Sequence, residues 1–212
     1  MKIAILLFEK VTALDAVGPY EVLQRLPGAE VVFAAKERGT VRTDNGFLGL
    51  VADAGLSEVD EADVLLVPGG VGCRPLVTDA EVLEWVRHLH EGTTYTTSVC
   101  TGSMVLAGAG LLDGLTATTH WANYEDLRAL GAEPTAERVV EHLDRRIITA
   151  AGVSSGIDMA LRLSELLVDA DAARAMQLMI EYDPDPPFDA GSVDKAGDDV
   201  MARVIEYAAT KQ

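Results

Sequence analysis

Strand-length apolar runs alternate with helical stretches along most of this 212-residue chain, and that alternation restricts its fold more than any other feature. Residues 2–8, 30–35 and 63–67 are apolar runs of the length of buried strands, and residues 95–99 read as a further strand. Between the last two, residues 79–90 place Val82, Trp85, Val86 and Leu89 on one helical face. Strands that alternate with helices imply βαβ units and a mostly parallel, doubly wound α/β sheet with helices on both faces.

The remaining elements follow the same logic. Residues 18–24 read as a short helix with Pro19 in its opening turn, where a missing N–H costs nothing. Residues 41–51, broken by Asp44-Asn45-Gly46, read as a hairpin, because Asn-Gly is a strong two-residue turn signal. A helix over 101–109, a Thr-rich strand near Ala117 and a helix over 124–130 come next. Strands over 138–142 and 146–150 precede two long helices at 155–167 and 170–180. Pro184, Pro186 and Pro187 exclude helix from 183–189, and a final helix covers about 198–208. With no repeat, low-complexity tract or linker, one domain over residues 1–212 is expected.

Charge narrows the function. The chain carries 34 acidic against 17 basic residues, a net −17 that a phosphate backbone would repel, so nucleic acid is excluded as a partner. Two cysteines, Cys73 and Cys100, make no disulfide framework. Residues 1–7 lack the longer apolar core and cleavage site of a signal peptide, and no stretch approaches a membrane span. A cytoplasmic protein without a membrane partner is therefore expected.

In an open α/β sheet, reactive groups gather beyond the carboxyl ends of the strands. Asp15 follows the first strand, Gly69-Gly70 the third long run, and Cys100 the fourth. Ser98-Val99-Cys100-Thr101-Gly102-Ser103 has the small-x-nucleophile-x-small form of a nucleophile elbow at a strand-to-helix junction. The amino end of the following helix would favour thiolate. Packing as a small buried hydrophobe is the alternative for Cys100. Asp15 reads equally as a capping carboxylate and as a proton carrier facing Cys100. Gly69-Gly70 reads as a turn or as a close backbone approach that builds an anion-stabilising hole. Thr101 offers a hydroxyl or an N–H beside the sulfur. His120 is the one plausible imidazole partner for Cys100, or else a capping histidine for the next helix. No His, Cys or Asp cluster has metal-ligand spacing, and no nucleotide-binding glycine motif occurs.

These residues carry a resemblance. Leu14-Asp15-Ala16-Val17-Gly18-Pro19, Pro68-Gly69-Gly70, the Cys100 elbow and Ala117-Thr118-Thr119-His120-Trp121 resemble the DJ-1/PfpI superfamily, and within it the bacterial isocyanide hydratases. The similarity continues through Gly156-Ile157-Asp158 to Glu181-Tyr182, Pro186-Pro187-Phe188 and Ala190-Gly191-Ser192. It implies a flavodoxin-like sandwich and hydration of an isocyanide to an N-formamide through a covalent thioimidate on Cys100. Asp15 would act as general acid and base, and Thr101 would assist. Gly69, Gly70, Gly18 and Gly152 would form the oxyanion- and substrate-binding set. The resemblance further implies a homodimer that needs no metal or organic cofactor. Related cysteine peptidases place His directly after the nucleophile; Thr101 stands there instead. The segment Ala150-Ala151-Gly152-Val153 is less glycine-rich than expected of a hydratase, which would narrow the pocket. Two other roles are compatible with Cys100. One is a glyoxalase-like or carbonyl-adduct hydrolase, which needs a glutamate beside the thiol, for which Glu21 is the candidate. The other is a ligand or oxidant sensor related to the domains that precede helix-turn-helix segments in AraC-type regulators.

Overall fold

Val64, Leu65, Leu66 and Val67 are all buried, as a central strand covered by helices on both sides requires. The computed structural model describes residues 1–209. Its strands are β1 (Lys2–Leu6), β2 (Glu30–Ala35), β3 (Gly39–Arg42), β4 (Gly49–Ala52), β5 (Ala54–Gly55), β6 (Val64–Val67), β7 (Tyr95–Val99), β8 (Thr116–Ala117), β9 (Glu133–Pro134), β10 (Val139–His142) and β11 (Ile147–Ala150). Its helices are α1 (Ala13–Leu23), α2 (Cys73–Leu76), α3 (Ala80–Gly92), α4 (Gly102–Gly108), α5 (Tyr124–Ala129), α6 (Ser155–Leu167), α7 (Ala170–Met179) and α8 (Val193–Ala209).

The main sheet runs β10-β11-β7-β6-β1-β2-β5, parallel throughout except for the β10–β11 pair. The inner order β2-β1-β6-β7-β11 is the flavodoxin-like winding. From β1 the chain turns one way to β2 and later the other way to β6, so the topological switch point lies between β1 and β6. That is where Asp15 and Gly69 emerge.

By contact density the chain divides into two units, Met1–Ile180 and Glu181–Gln212. The first holds every strand and all the candidate site residues. In the second, residues 183–189 form no helix, as their prolines demand, and Gly197 interrupts α8 with φ 72° and ψ 165°. The helix expected from residue 198 is the part of α8 beyond that break. Among the described residues, no helix is long and apolar enough to cross a membrane.

Two local expectations need correction. Helix α1 starts at Ala13, with Thr12 extended ahead of it, so Pro19 lies inside the helix and not in its first turn. Proline there removes the bond to the carbonyl four residues back, a loss that packing of α1 on α6 has to offset. Gly18 lies at that packing: a Cβ on it would sit 3.1 Å from Ile157 Cγ1. Asp15 is consequently in the first turn of α1, not ahead of it. The hairpin exists as β3 and β4, but residues 43–48 join them in place of a two-residue turn, and the pair forms a sheet of its own.

Candidate active site

Cys100 follows β7 with φ +57°, a left-handed conformation that costs a non-glycine residue energy and persists only where its surroundings hold it. Its N–H donates to Ala150 O at 3.0 Å and Ala151 O at 2.9 Å. Its carbonyl accepts from Thr119 Oγ1 at 3.0 Å and Ser103 Oγ at 3.2 Å. A Cβ on Gly102 would lie 2.0 Å from Val67 O, so only glycine permits the turn. The strand-to-helix elbow anticipated from the small residues around Cys100 is therefore the observed geometry.

Asp15 is wholly buried. Its Oδ2 accepts the Gly69 N–H at 3.0 Å, while Oδ1 has no partner at ordinary hydrogen-bond length. The carboxyl and the Cys100 thiol are nonetheless close enough for each to shift the other. Burial raises Asp15 to about 7; the Gly69 N–H and the thiol oppose this, and the charge of Asp44 adds to it. Burial, reinforced by the charge of Asp15, pushes the Cys100 thiol up to about 12, against the backbone N–H groups of Thr101 and Val153. The helix behind the elbow thus does not by itself make the sulfur a thiolate, because desolvation outweighs it.

The two groups titrate as a couple. Below about pH 7 they hold two protons, and above it one. Shifting that one proton from sulfur to Asp15 gives thiolate and carboxylic acid, a form that both amides and the acid O–H stabilise. Val153 supplies its amide from φ +35°, an outlier for a β-branched residue.

Gly69 and Gly70 are where they were expected, but their amides are occupied. Gly69 N–H holds Asp15, and Gly70 N–H donates to Thr101 Oγ1 at 2.9 Å. The Thr101 hydroxyl in turn donates to Gly70 O at 3.1 Å. The expected oxyanion donors are thus structural ties, and the amides that reach the sulfur belong to Thr101 and Val153. Both glycines are required sterically. A Cβ on Gly69 would sit 2.6 Å from Thr101 N and 2.8 Å from Cys100 Cβ; one on Gly70, at φ +138°, would sit 2.4 Å from Lys10 O.

A cavity of about 350 Å³ opens over the sulfur, lined among others by Thr12, Asp44, Thr101, Met104, His120 and Val153. His120 reaches this cavity and also caps the turn after it, its Nδ1 accepting Ala122 N–H at 3.3 Å. Burial lowers its pKa, so it stays neutral with the proton on Nε2. Gly152 backs the imidazole, where a Cβ would lie 2.8 Å from His120 Cδ2. Glu21 is directed elsewhere, paired with Arg25 at 2.7 Å and absent from the cavity lining. Gly18 packs against α6 and is absent from it as well. Cys73 is free and buried, with its Sγ 3.6 Å from Pro68 O. Among the described residues no group of three or more His, Cys, Asp or Glu side chains is arranged to hold a metal.

Sequence reasoning missed Val153, Thr119 and Asp44. Two of them lie in segments already singled out, Thr119 in Ala117–Trp121 and Val153 in Ala150–Val153, but their contacts with Cys100 depend on the segments after β8 and β11, and Asp44 arrives from the loop of the hairpin.

The DJ-1/PfpI family profile matches residues 1–166. The isonitrile hydratase of Pseudomonas putida is 43% identical over 209 residues, 99% of this chain and 90% of that protein. A THiJ/PfpI family protein from Pseudomonas syringae superposes with a TM-score of 0.91 at 40% identity, covering 99% of this chain and 86% of that one. The helix-turn-helix transcriptional regulator CdhR of Pseudomonas aeruginosa is 33% identical over 125 residues, 59% of this chain but 37% of the regulator.

Proposed function

The chain belongs to the DJ-1/PfpI family, and on that footing we propose that it hydrates isocyanides, R–N≡C, to N-substituted formamides. The observation that carries this reading is the pairing of an elbow cysteine with a buried carboxyl whose pKa lies at about 7. One group supplies the nucleophile, and the other holds a proton that can be given and taken near neutral pH. The similarity to the P. putida hydratase over nearly the whole chain supports the substrate class.

In this mechanism the Cys100 sulfur attacks the terminal isocyanide carbon, and the proton resting on Asp15 passes to that carbon. The product is a thioimidate, R–N=CH–S–Cys100. Asp15, now ionised, takes a proton from water as the hydroxyl adds to the C=N carbon and passes that proton to the nitrogen, so that it is ionised again in the adduct. The tetrahedral adduct R–NH–CH(OH)–S–Cys100 then expels sulfur, its hydroxyl proton returns to the couple, and R–NH–CHO leaves. The Thr101 and Val153 amides stabilise charge on sulfur at both ends of the cycle. No step needs a metal or an organic cofactor, and the reading includes a homodimer in the cytoplasm.

A carbonyl-adduct hydrolase would need a glutamate at the thiol, whereas Glu21 is engaged with Arg25. An oxidant sensor would need an exposed, low-pKa thiol, and Cys100 is buried with its pKa pushed up.

Formamide production from a simple aryl isocyanide by the purified protein tests the proposal, with Cys100→Ala alongside. Turnover that disappears in Cys100→Ala supports it. No turnover by the unsubstituted protein across several isocyanides overturns it.

A further inference from the structure

The hairpin loop places a carboxylate in the cavity that the hydration mechanism does not use. Asp44 lies in the connection between β3 and β4 and lines the cavity with Cys100. Its position is built from the backbone up. Lys10 N–H donates to Arg42 O at 2.7 Å, Thr43 bridges to Val11, and Asp44 N–H donates to Val11 O at 3.1 Å. Those bonds lock the loop to the segment that runs directly into α1. The side chain is held as well: Oδ1 accepts Asn45 N–H at 2.9 Å, and Oδ2 accepts Thr12 Oγ1 at 3.3 Å.

The other charged residue lining this cavity is Arg74, which lies 3.7 Å from Asp126 and so is already partly neutralised. Asp44 is the carboxylate of this lining, and among the described residues it makes no ion pair. It also reaches the reacting couple, since its field adds to burial in raising Asp15.

We propose that Asp44 is a charge filter for the cavity, admitting neutral and cationic substrates to Cys100 and disfavouring anionic ones. As a statement about isocyanides this rests on the hydratase reading, but the filter acts on any small reagent that approaches the sulfur. A role confined to shaping the loop is the competing account. Asp44→Asn separates the two, because asparagine keeps an acceptor for Asn45 N–H and a polar partner for Thr12 while losing the charge.

The experiment compares alkylation of Cys100 by iodoacetate and by iodoacetamide, read by peptide mass so that Cys73 is scored separately. The two reagents differ in charge and little in size, and their rate ratio cancels any change in the reactivity of the thiol itself. Asp44→Asn should raise the iodoacetate-to-iodoacetamide ratio at least about threefold at low ionic strength, with the gain shrinking near about 1 M salt. An unchanged ratio, or a rise indifferent to salt, overturns the filter. Formamide production from a neutral isocyanide, run in parallel, reports on the hydratase reading independently. If it is present, a carboxylate-bearing isocyanide should gain in kcat/KM relative to the neutral one in Asp44→Asn by a similar factor.

Discussion

The Gly69 N–H is hydrogen bonded to Asp15 Oδ2 at 3.0 Å, and a Cβ on Gly69 would lie 2.8 Å from that same oxygen. One backbone position therefore both holds the Asp15 carboxyl and leaves it room beside the sulfur. Gly69→Ala has to displace Thr101 N, Cys100 Cβ or Asp15, none of which is the end of a flexible surface chain. The variant should lose about 1–3 kcal/mol of stability and at least about 10²-fold in kcat/KM, because misplacement at the reacting centre is costly. Denaturant titration and steady-state assay measure the two. A Gly69→Ala enzyme with unimpaired turnover would show that Asp15 need not keep this position.

Asp15→Asn keeps the acceptor for Gly69 N–H but carries no transferable proton. Turnover should fall by roughly 10²–10⁴-fold. The unsubstituted enzyme should show an acid limb near pH 7 in kcat/KM, since below it Asp15 and Cys100 are both protonated and no thiolate forms. That limb should be missing from the residual activity of Asp15→Asn. Were it to persist unchanged, another group would be responsible.

The same carboxyl makes a stability prediction of definite sign. Its pKa in the fold, about 7, is above the ordinary 3.8, so the folded protein binds this proton more tightly than the unfolded chain. Stability from this group is fully present below about pH 4 and is lost as pH rises towards 7. At about 1.4 kcal/mol per pH unit, the ionised form costs on the order of 4 kcal/mol above pH 7. Asp15→Asn should accordingly be more stable than the parent at pH 8, and the difference should vanish near pH 4. Urea unfolding at the two pH values reads this directly; equal stabilities at pH 8 would contradict it.

Thr101 bonds both polar groups of Gly70 through one hydroxyl. In Thr101→Val the buried Gly70 N–H loses its partner, which should cost about 1–3 kcal/mol and loosen the wall beside Cys100. Thr101→Ser keeps the hydroxyl and should recover most of the stability and activity. If valine and serine behave alike, the hydroxyl is not what matters.

The strands β1, β2 and β6 were legible because each is a short apolar run between polar breaks, with helices over both faces of the sheet they form. The helix at residues 155–167 matched because its apolar face repeats at helical spacing up to the polar end of the segment. Pro19 misled for a definite reason. Its preference for a first turn is a local statistic, whereas packing of α1 on α6 carries the helix through it. Asn45-Gly46 likewise marked the hairpin correctly but not its length, since the loop is set by bonds to Val11 and Lys10 far away in the chain.

By itself, the sequence determined the class of sheet, the elbow at Cys100 and the edge from which Asp15, Gly69 and Cys100 emerge. These depend on neighbours within a few residues: apolar spacing, and small side chains flanking Cys100. Tertiary structure alone decided what each group faces. It turned the Gly69 and Gly70 amides inward to Asp15 and Thr101, brought the Val153 amide to the sulfur from the next strand, and set Asp44 over the cavity from a separate sheet. It also decided protonation, because a carboxyl and a thiol are shifted by how completely folding removes their water, and burial arises only when distant segments close around them.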